Sequence, residues 1–250
     1  MCTLAIYFRT SDRYPLVVAA NRDEFLERPA RPPAVVAESP WVVAGTDLVA
    51  GGTWLGLNEH NLVVSVLNRR TGEKPDPTLR SRGLLCSELL RCSTASEAIE
   101  HFAADRSAYN PFNLLVASPS EAYVISNFQS PATVTALEPG LHLITNLSLN
   151  DPTCPRIAKS HRLFEAAIPR LEDEDSEPFR KAVRGILSDH STPLDPRYQG
   201  PPTNLCVHLG AYGTRCSSVL MYAESAARTA FWHADGAPCE TAHQPLSLPR

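Results

Sequence analysis

Across its 250 residues the chain lacks most of the signals that would place it quickly. It has no GxGxxG turn and no P-loop, which removes the common glycine-rich phosphate cradles. It has no apolar run near the ~18 residues that a membrane span requires. The first residues, Met1-Cys2-Thr3-Leu4-Ala5-Ile6-Tyr7-Phe8-Arg9, carry no basic segment, and their apolar stretch is too short for a secretory leader. A cytoplasmic location is the resulting expectation. Basic residues are not in excess: the net charge is -4 and the pI about 6.1. That argues against a nucleic-acid partner, which normally meets a basic stripe. The seven cysteines, an odd number, form no CxxC pair. They read as free thiols in a reducing compartment, and no Cys/His pair shows zinc-ligand spacing, so no metal site is expected.

What is present describes an ordinary globular chain, 43% hydrophobic and 20% charged, long enough to bury a real core as a single domain over residues 1–250. Thr3–Phe8 and Leu16–Ala20 read as a hairpin, and the proline-rich stretch from Arg28 to Pro33 as a loop. Short strands follow at Val42–Ala44, Leu48–Ala50, Thr53–Leu57 and Leu62–Leu67. Leu85 and Leu89 fall at helical spacing, and Ser93/Thr94 caps a second helix through Phe102. Strands return at Phe112–Ala117, Ala122–Ser126, Val134–Leu137 and Leu141–Thr145. Helices are expected over Pro155–Ile168 and Glu177–Leu187, with loops at Glu172–Asp175 and Pro193–Pro202. Asn204–Leu209, Ser217–Tyr222 and Thr229–His233 close the strand set, and the segment after about residue 236 reads as a loosely held tail. Strands, then helices, then strands again predict an α+β fold of antiparallel sheets with segregated helices, and two stacked sheets with helical layers outside satisfy the pattern.

The chemistry concentrates at the start. A small residue behind the initiator permits removal of Met1, after which Cys2 carries a thiol and a free α-amine together. An α-amine with a pKa of about 7.7–8.0 accepts a proton near neutrality, so such a nucleophile brings its own base. Position alone favours Cys2 as an apolar residue opening the first strand. Asn21-Arg22-Asp23-Glu24-Phe25 follows the second strand and would return beside Cys2, where a carboxylate can orient the amine. Gly51-Gly52-Thr53-Trp54-Leu55-Gly56 reads as a tight turn feeding a strand, with Trp54 either core or pocket lining. Asn68 and Asn146 end strands. A side-chain amide there can donate to a developing oxyanion, a contribution of ~2.7–4 kcal/mol in acyl transfer, although asparagine is also a common turn residue.

Asn21-Arg22-Asp23-Glu24-Phe25 with Arg28-Pro29, Gly51-Gly52-Thr53-Trp54-Leu55-Gly56, Asn68-Arg69, Ser81-Arg82-Gly83, Thr145-Asn146 and Tyr212-Gly213-Thr214-Arg215 together resemble the NRDE family, also called the transport and Golgi organisation protein 2 family. The matches run in order from Cys2 to about residue 220. The resemblance implies an Ntn-hydrolase-like four-layer αββα sandwich of two antiparallel sheets. More distantly the chain is similar to the choloylglycine hydrolase and penicillin V acylase group, whose mature chains begin with cysteine. That likeness implies a catalytic set of Cys2, Asp23, Asn68 and Asn146, with Asn21, Arg22, Trp54 and Arg69 as candidate substrate-binding residues. The chain departs from that group at Ala20, where an arginine is expected. Arg22, two residues on and so on the same strand face, is the candidate replacement. Within the family, Cys154-Pro155-Arg156 stands where a tryptophan and a lysine are usual.

Two functions follow from the resemblance, beside a third possibility, a structural or adaptor role on a retired hydrolase fold. One is hydrolysis of a linear amide C–N bond in a small acylated molecule, with no cofactor required. The other is non-catalytic binding, in haem trafficking or of lipid or acyl-coenzyme A, with haem as a ligand and the free cysteines and His60, His101, His142, His161, His190, His208 and His233 as axial-ligand candidates.

Overall fold

The computed structural model describes residues 2–103, 109–191, 203–223 and 229–249. The chain divides into two compact units: Met1–Glu27 with Pro139–Pro245, and Arg28–Glu138 with the final residues Leu246–Arg250. Each is built on one antiparallel sheet. Among the described residues, no helix is long and apolar enough to cross a membrane.

The first unit holds strands β1 (Thr3–Phe8), β2 (Leu16–Phe25), β10 (Gly140–Ile144), β11 (His208–Leu209), β12 (Tyr212–Tyr222), β13 (Ala230–Ala234) and β14 (Gln244–Pro245). They pair in the order β10-β1-β2-β12-β13-β14, with β11 added to β12. β1 is buried at every position. Helices α3 (Pro155–Glu165) and α4 (Glu177–Leu187) lie on one face. There Phe164, Phe179, Val183 and Leu187 join Ala5, Tyr7, Val17, Ala19, Val219 and Met221 in one apolar cluster. Tyr7 sets its ring edge-on to Phe179 at 5.4 Å and donates its hydroxyl to the Phe164 carbonyl at 2.9 Å, so its one polar atom is satisfied inside the core.

The second unit holds β3 (Ala30–Glu38), β4 (Trp41–Asp47), β5 (Leu55–Asn58), β6 (Val63–Asn68), β7 (Phe112–Ala117), β8 (Ala122–Ser126) and β9 (Thr133–Ala136), paired in sequence order as a meander. Helices α1 (Arg82–Leu89) and α2 (Ala95–Ala103) supply Leu85, Leu89, Ala98 and Phe102 to a cluster with Val64, Phe112, Leu114 and Val116. Thr94 Oγ1 accepts from the Glu97 N–H at 3.0 Å while the Glu97 carboxylate takes the Ser93 N–H at 2.7 Å, a reciprocal cap of the kind the sequence suggests.

Several expectations are corrected. The proline-rich stretch is not a loop: residues from Ala30 onward form β3. It is an edge strand, and its register slips between Arg31 and Ala34, where Pro32 and Pro33 need no ladder partner. Leu48–Ala50 is a turn rather than a strand, because Asp47 Oδ1 accepts the N–H groups of Val49 and Ala50 at 2.9 and 3.0 Å. β2 and β12 run well beyond their expected ends at Ala20 and Ser217, and each satisfies the other's polar extension. Of Asn204–Leu209 only His208–Leu209 pairs as strand. The expected loop Pro193–Pro202 lies outside the described residues. Past Gly236, Ala237 is buried, β14 pairs with β13, and His243 Nε2 lies 3.0 Å from Ser217 Oγ.

Two family motifs turn out to be one piece of packing. Gly52 has φ +76°, and a Cβ there would lie 2.1 Å from the Gly83 carbonyl carbon. Thr53 N–H donates to the Gly83 oxygen at 3.0 Å, and Ser81 caps α1 through the Gly83 N–H. Gly52→Ala should therefore cost more than the ~1–3 kcal/mol of backbone strain alone, read as a lowered urea midpoint. In the first unit, burial pushes His233 and His243 each down to about 4, beside Ser218 and Ser217. The folded state then binds fewer protons than the unfolded chain, whose histidines titrate near 6.5. Their contribution to stability is complete above that pH and is lost as pH falls towards 4. A His233→Asn/His243→Asn variant should show a flatter stability profile across this interval in denaturant titrations.

Candidate active site

Cys2 directly precedes β1, and β1 lies between β10 and β2, so strand register decides what surrounds the thiol. Thr3 pairs with Asn21 of β2, and Leu4 with Ile144 of β10. Asn146 is two residues beyond that second pair and Cys2 two residues before it, which puts both at the same end of the sheet. The Cys2 sulfur lies 3.7 Å from the main-chain oxygen of Asp23.

Asp23 is the centre of the arrangement. Its side chain is fully buried, and Thr214 of β12 faces it in register. Thr214 Oγ1 accepts the Val207 N–H at 2.9 Å and donates to Asp23 Oδ1 at 2.7 Å, so the hydroxyl's direction is set from both sides. A bulge at Arg215 follows immediately, as is common where a strand must aim a side chain. Tyr212 donates its phenol to the Asp23 main-chain oxygen at 3.2 Å. On the other side of the carboxylate stands Arg156, which has no exposed surface. Its Nη1 is 3.7 Å from Asp23 Oδ2 and 3.2 Å from Thr3 Oγ1, and its Nη2 donates to the Asn204 carbonyl.

Burial dominates the electrostatics. It pushes the Cys2 thiol up, with the Asp23 charge adding to the effect and Arg22 opposing it. It also pushes the Asp23 carboxyl up, against Arg156 and the Thr214 hydrogen bond, which favour the carboxylate. The Tyr212 phenol is raised by burial and by the neighbouring Cys2 and Asp23. Burial thus favours the neutral Cys2 thiol, beside a carboxyl whose anion Arg156 and Thr214 favour.

Arg156 is the residue that motif reading missed. Cys154-Pro155-Arg156 departs from the family pattern, yet proline opens α3 and sets Arg156 in its first turn. The readable signal was the helix stripe: Arg156, Ile157, Ser160 and Phe164 are the buried positions of α3, and a guanidinium on a buried stripe needs an anion. Arg22 is buried and pairs with Glu24 at 3.8 Å. Asn21 donates both amide hydrogens, to the carbonyls of Leu187 and Leu205 at 2.8 and 3.0 Å, and ties the end of α4 to the segment before β11.

The remaining candidates belong to the second unit. Asn68 ends β6 opposite Phe112. Arg69 lies over the Phe128 ring at 4.6 Å, and its Nη1 approaches Asn113 Oδ1 at 3.4 Å. Trp54 packs on Gly45, where a Cβ would fall 2.5 Å from the indole. Among the histidines, His142 and His233 engage Asn150 and Ser218, and His60 and His161 sit beside Glu59 and Glu165.

The fold is that of the Ntn hydrolases. The penicillin V acylase of Agrobacterium tumefaciens superposes with a TM-score of 0.59 at 12% identity, covering 94% of this chain and 83% of that one. The N-acylethanolamine-hydrolyzing acid amidase orthologue of Caenorhabditis elegans gives 0.59 at 16% identity, covering 99% and 100%. In sequence, the profile of the Transport and Golgi organisation 2 family matches residues 1–233, and the chain belongs to that family. The mouse Transport and Golgi organization 2 homologue is 27% identical over 233 residues, 85% of this chain and 83% of its own length. The cattle homologue is 28% identical over 232 residues, with the same coverage.

Removing one member of the buried pair should be costly. Arg156→Met is expected to lower stability by about 3–5 kcal/mol, because it strands the Asp23 carboxylate in the interior. Adding Asp23→Asn should recover part of that loss. A double-mutant cycle in urea measures the coupling, and additive losses would rule out a direct interaction between the two charges.

Proposed function

We propose that the chain, once Met1 is removed, is an N-terminal-cysteine amidohydrolase that cleaves the linear amide C–N bond of a small acylated molecule. The observation that carries this reading is the Cys2 sulfur set against Asp23, whose carboxylate is held by Thr214 and Arg156. So elaborate a buried polar cluster is costly for a thiol that only opens a strand. The Ntn-hydrolase fold supports the same assignment.

The roles follow from the chemistry. Met1 removal frees an α-amine on the residue that bears the thiol. The amine takes the thiol proton as sulfur attacks the amide carbon, forming the C–S bond and placing negative charge on the carbonyl oxygen. Asn146 is the proposed donor to that oxyanion. As the C–N bond breaks, the ammonium returns the proton to the leaving amine, and the acyl group remains on Cys2 as a thioester. Water then attacks this thioester with the α-amine again as base, releasing the acid and regenerating the thiol. Asp23 orients the ammonium, Arg156 and Thr214 favour the Asp23 carboxylate against its burial, and Asn21 acts by positioning, since its amide hydrogens are committed to the main chain.

The intact protein should be lighter by one methionine residue. It should form a stoichiometric acyl adduct on Cys2 with a reactive amide or β-lactone probe, and Cys2→Ala should abolish both adduct and turnover. A retained Met1, or undiminished turnover in Cys2→Ala, overturns the mechanism.

A further inference from the structure

The first unit gathers two thiols and two imidazoles at one point, none of them among the groups set around Cys2 and Asp23. His190 follows α4, Cys206 and His208 lead into and open β11, and Cys239 follows β13. No spacing in the sequence announces them; the fold brings them together from three segments. One ligand atom from each lies within 4.8 Å of every other. Cys206 Sγ is 3.5 Å from Cys239 Sγ and 3.5 Å from His208 Nε2, and His208 Nε2 is 3.3 Å from Cys239 Sγ.

Those separations have a specific meaning. A tetrahedral ion with metal–sulfur bonds of about 2.3 Å and metal–nitrogen bonds of about 2.0–2.1 Å has S–S edges of about 3.8 Å and S–N edges of about 3.6 Å. The three separations fall within a few tenths of an ångström of those edges. A disulfide would need the two sulfurs at about 2.05 Å. The fourth group is oriented by its surroundings. His190 Nδ1 lies 3.2 Å from the Cys206 carbonyl, and an N–H there donates to that oxygen and leaves Nε2 with its lone pair, the usual way a metal-binding histidine is held. Its ring stands 5.1 Å from that of His208.

We propose that His190, Cys206, His208 and Cys239 form a closed tetrahedral S2N2 site for a zinc ion. Thiolate with imidazole suits zinc among the common divalent ions, and four protein ligands leave no open position, so the ion is structural. Its place in the fold says what it stabilises. Val207, between two of the ligands, accepts the Thr214 N–H at 2.8 Å and donates to the Thr214 hydroxyl that holds Asp23. The two residues before Cys206 supply the carbonyls that receive Arg156 and Asn21. The ion pins the segment on which the buried carboxylate depends. Both thiols must lose protons to bind, so affinity falls as pH falls.

The test does not depend on any activity of Cys2. Full-length protein purified under reducing conditions should carry one zinc per chain by elemental analysis, and removing it with a chelator should lower the melting temperature. The reduced apoprotein titrated with Co(II) should develop the visible bands of a tetrahedral site and a thiolate charge-transfer band. Both should saturate at one equivalent and disappear when zinc is added. His208→Ala and Cys239→Ser, at exposed and half-buried positions, should weaken zinc binding by at least the ~10–100-fold seen for groups that merely orient a ligand. Reduced native protein that takes up neither zinc nor Co(II) at micromolar concentration overturns the proposal. So do Co(II) bands of an octahedral ion without charge transfer, and so does a Cys206–Cys239 disulfide in protein that binds no metal after reduction.

Discussion

The Asp23 carboxylate and the Arg156 guanidinium have both been taken out of water, and the first unit is organised around meeting that cost. Burying either charge alone would be prohibitive, so each needs the other and a full set of dipoles besides. Thr214 fills one carboxylate position, Thr3 and the Asn204 carbonyl serve the guanidinium, and Tyr212 attends to the Asp23 main chain. None of these groups is near Asp23 in sequence. Strands β1, β2 and β12 are neighbours in the sheet, so the network is also a specification of register: a slip of one residue in β12 would turn Thr214 to the opposite face.

The same constraint explains the length of β2. A strand that ended at Ala20 would satisfy hydrophobic patterning, since Leu16–Ala20 contains its apolar positions. The polar continuation Asn21-Arg22-Asp23-Glu24 reads as a turn by composition, yet every residue of it is paired with β12 and three of its side chains are buried. Composition misleads here because the partners that make burial tolerable come from the far end of the chain. The proline-rich start of β3 fails for the converse reason. Proline excludes an interior strand, and β3 is at an edge, which local sequence does not announce.

Much else was legible. The bounds of β1, β7, β8 and α4 agree with apolar runs and flanking turn residues, because those elements obey local rules. The ordered motifs led to the family and the Ntn-hydrolase fold. They were less informative about roles. Gly52 and Gly83 proved to be a backbone contact, Asn21 a brace between two main-chain carbonyls, and the most consequential side chain, Arg156, sat where the family pattern is broken. The sign of Arg156 in the sequence is a guanidinium on the buried stripe of a helix, which a motif search does not register.

The topology also sets an order of events. Most of the second unit is a continuous stretch, Arg28–Glu138, whose strands pair with their sequence neighbours; its contact order is low and it can assemble as soon as it is synthesised. The first unit cannot. Asp23 waits for a hydroxyl 191 residues further along, and β2 for a strand made only after the whole Arg28–Glu138 stretch. On the ribosome, the chain's first strands and their charged end must therefore remain without their final partner while the domain's middle folds. The surroundings of Cys2 are begun early and completed late.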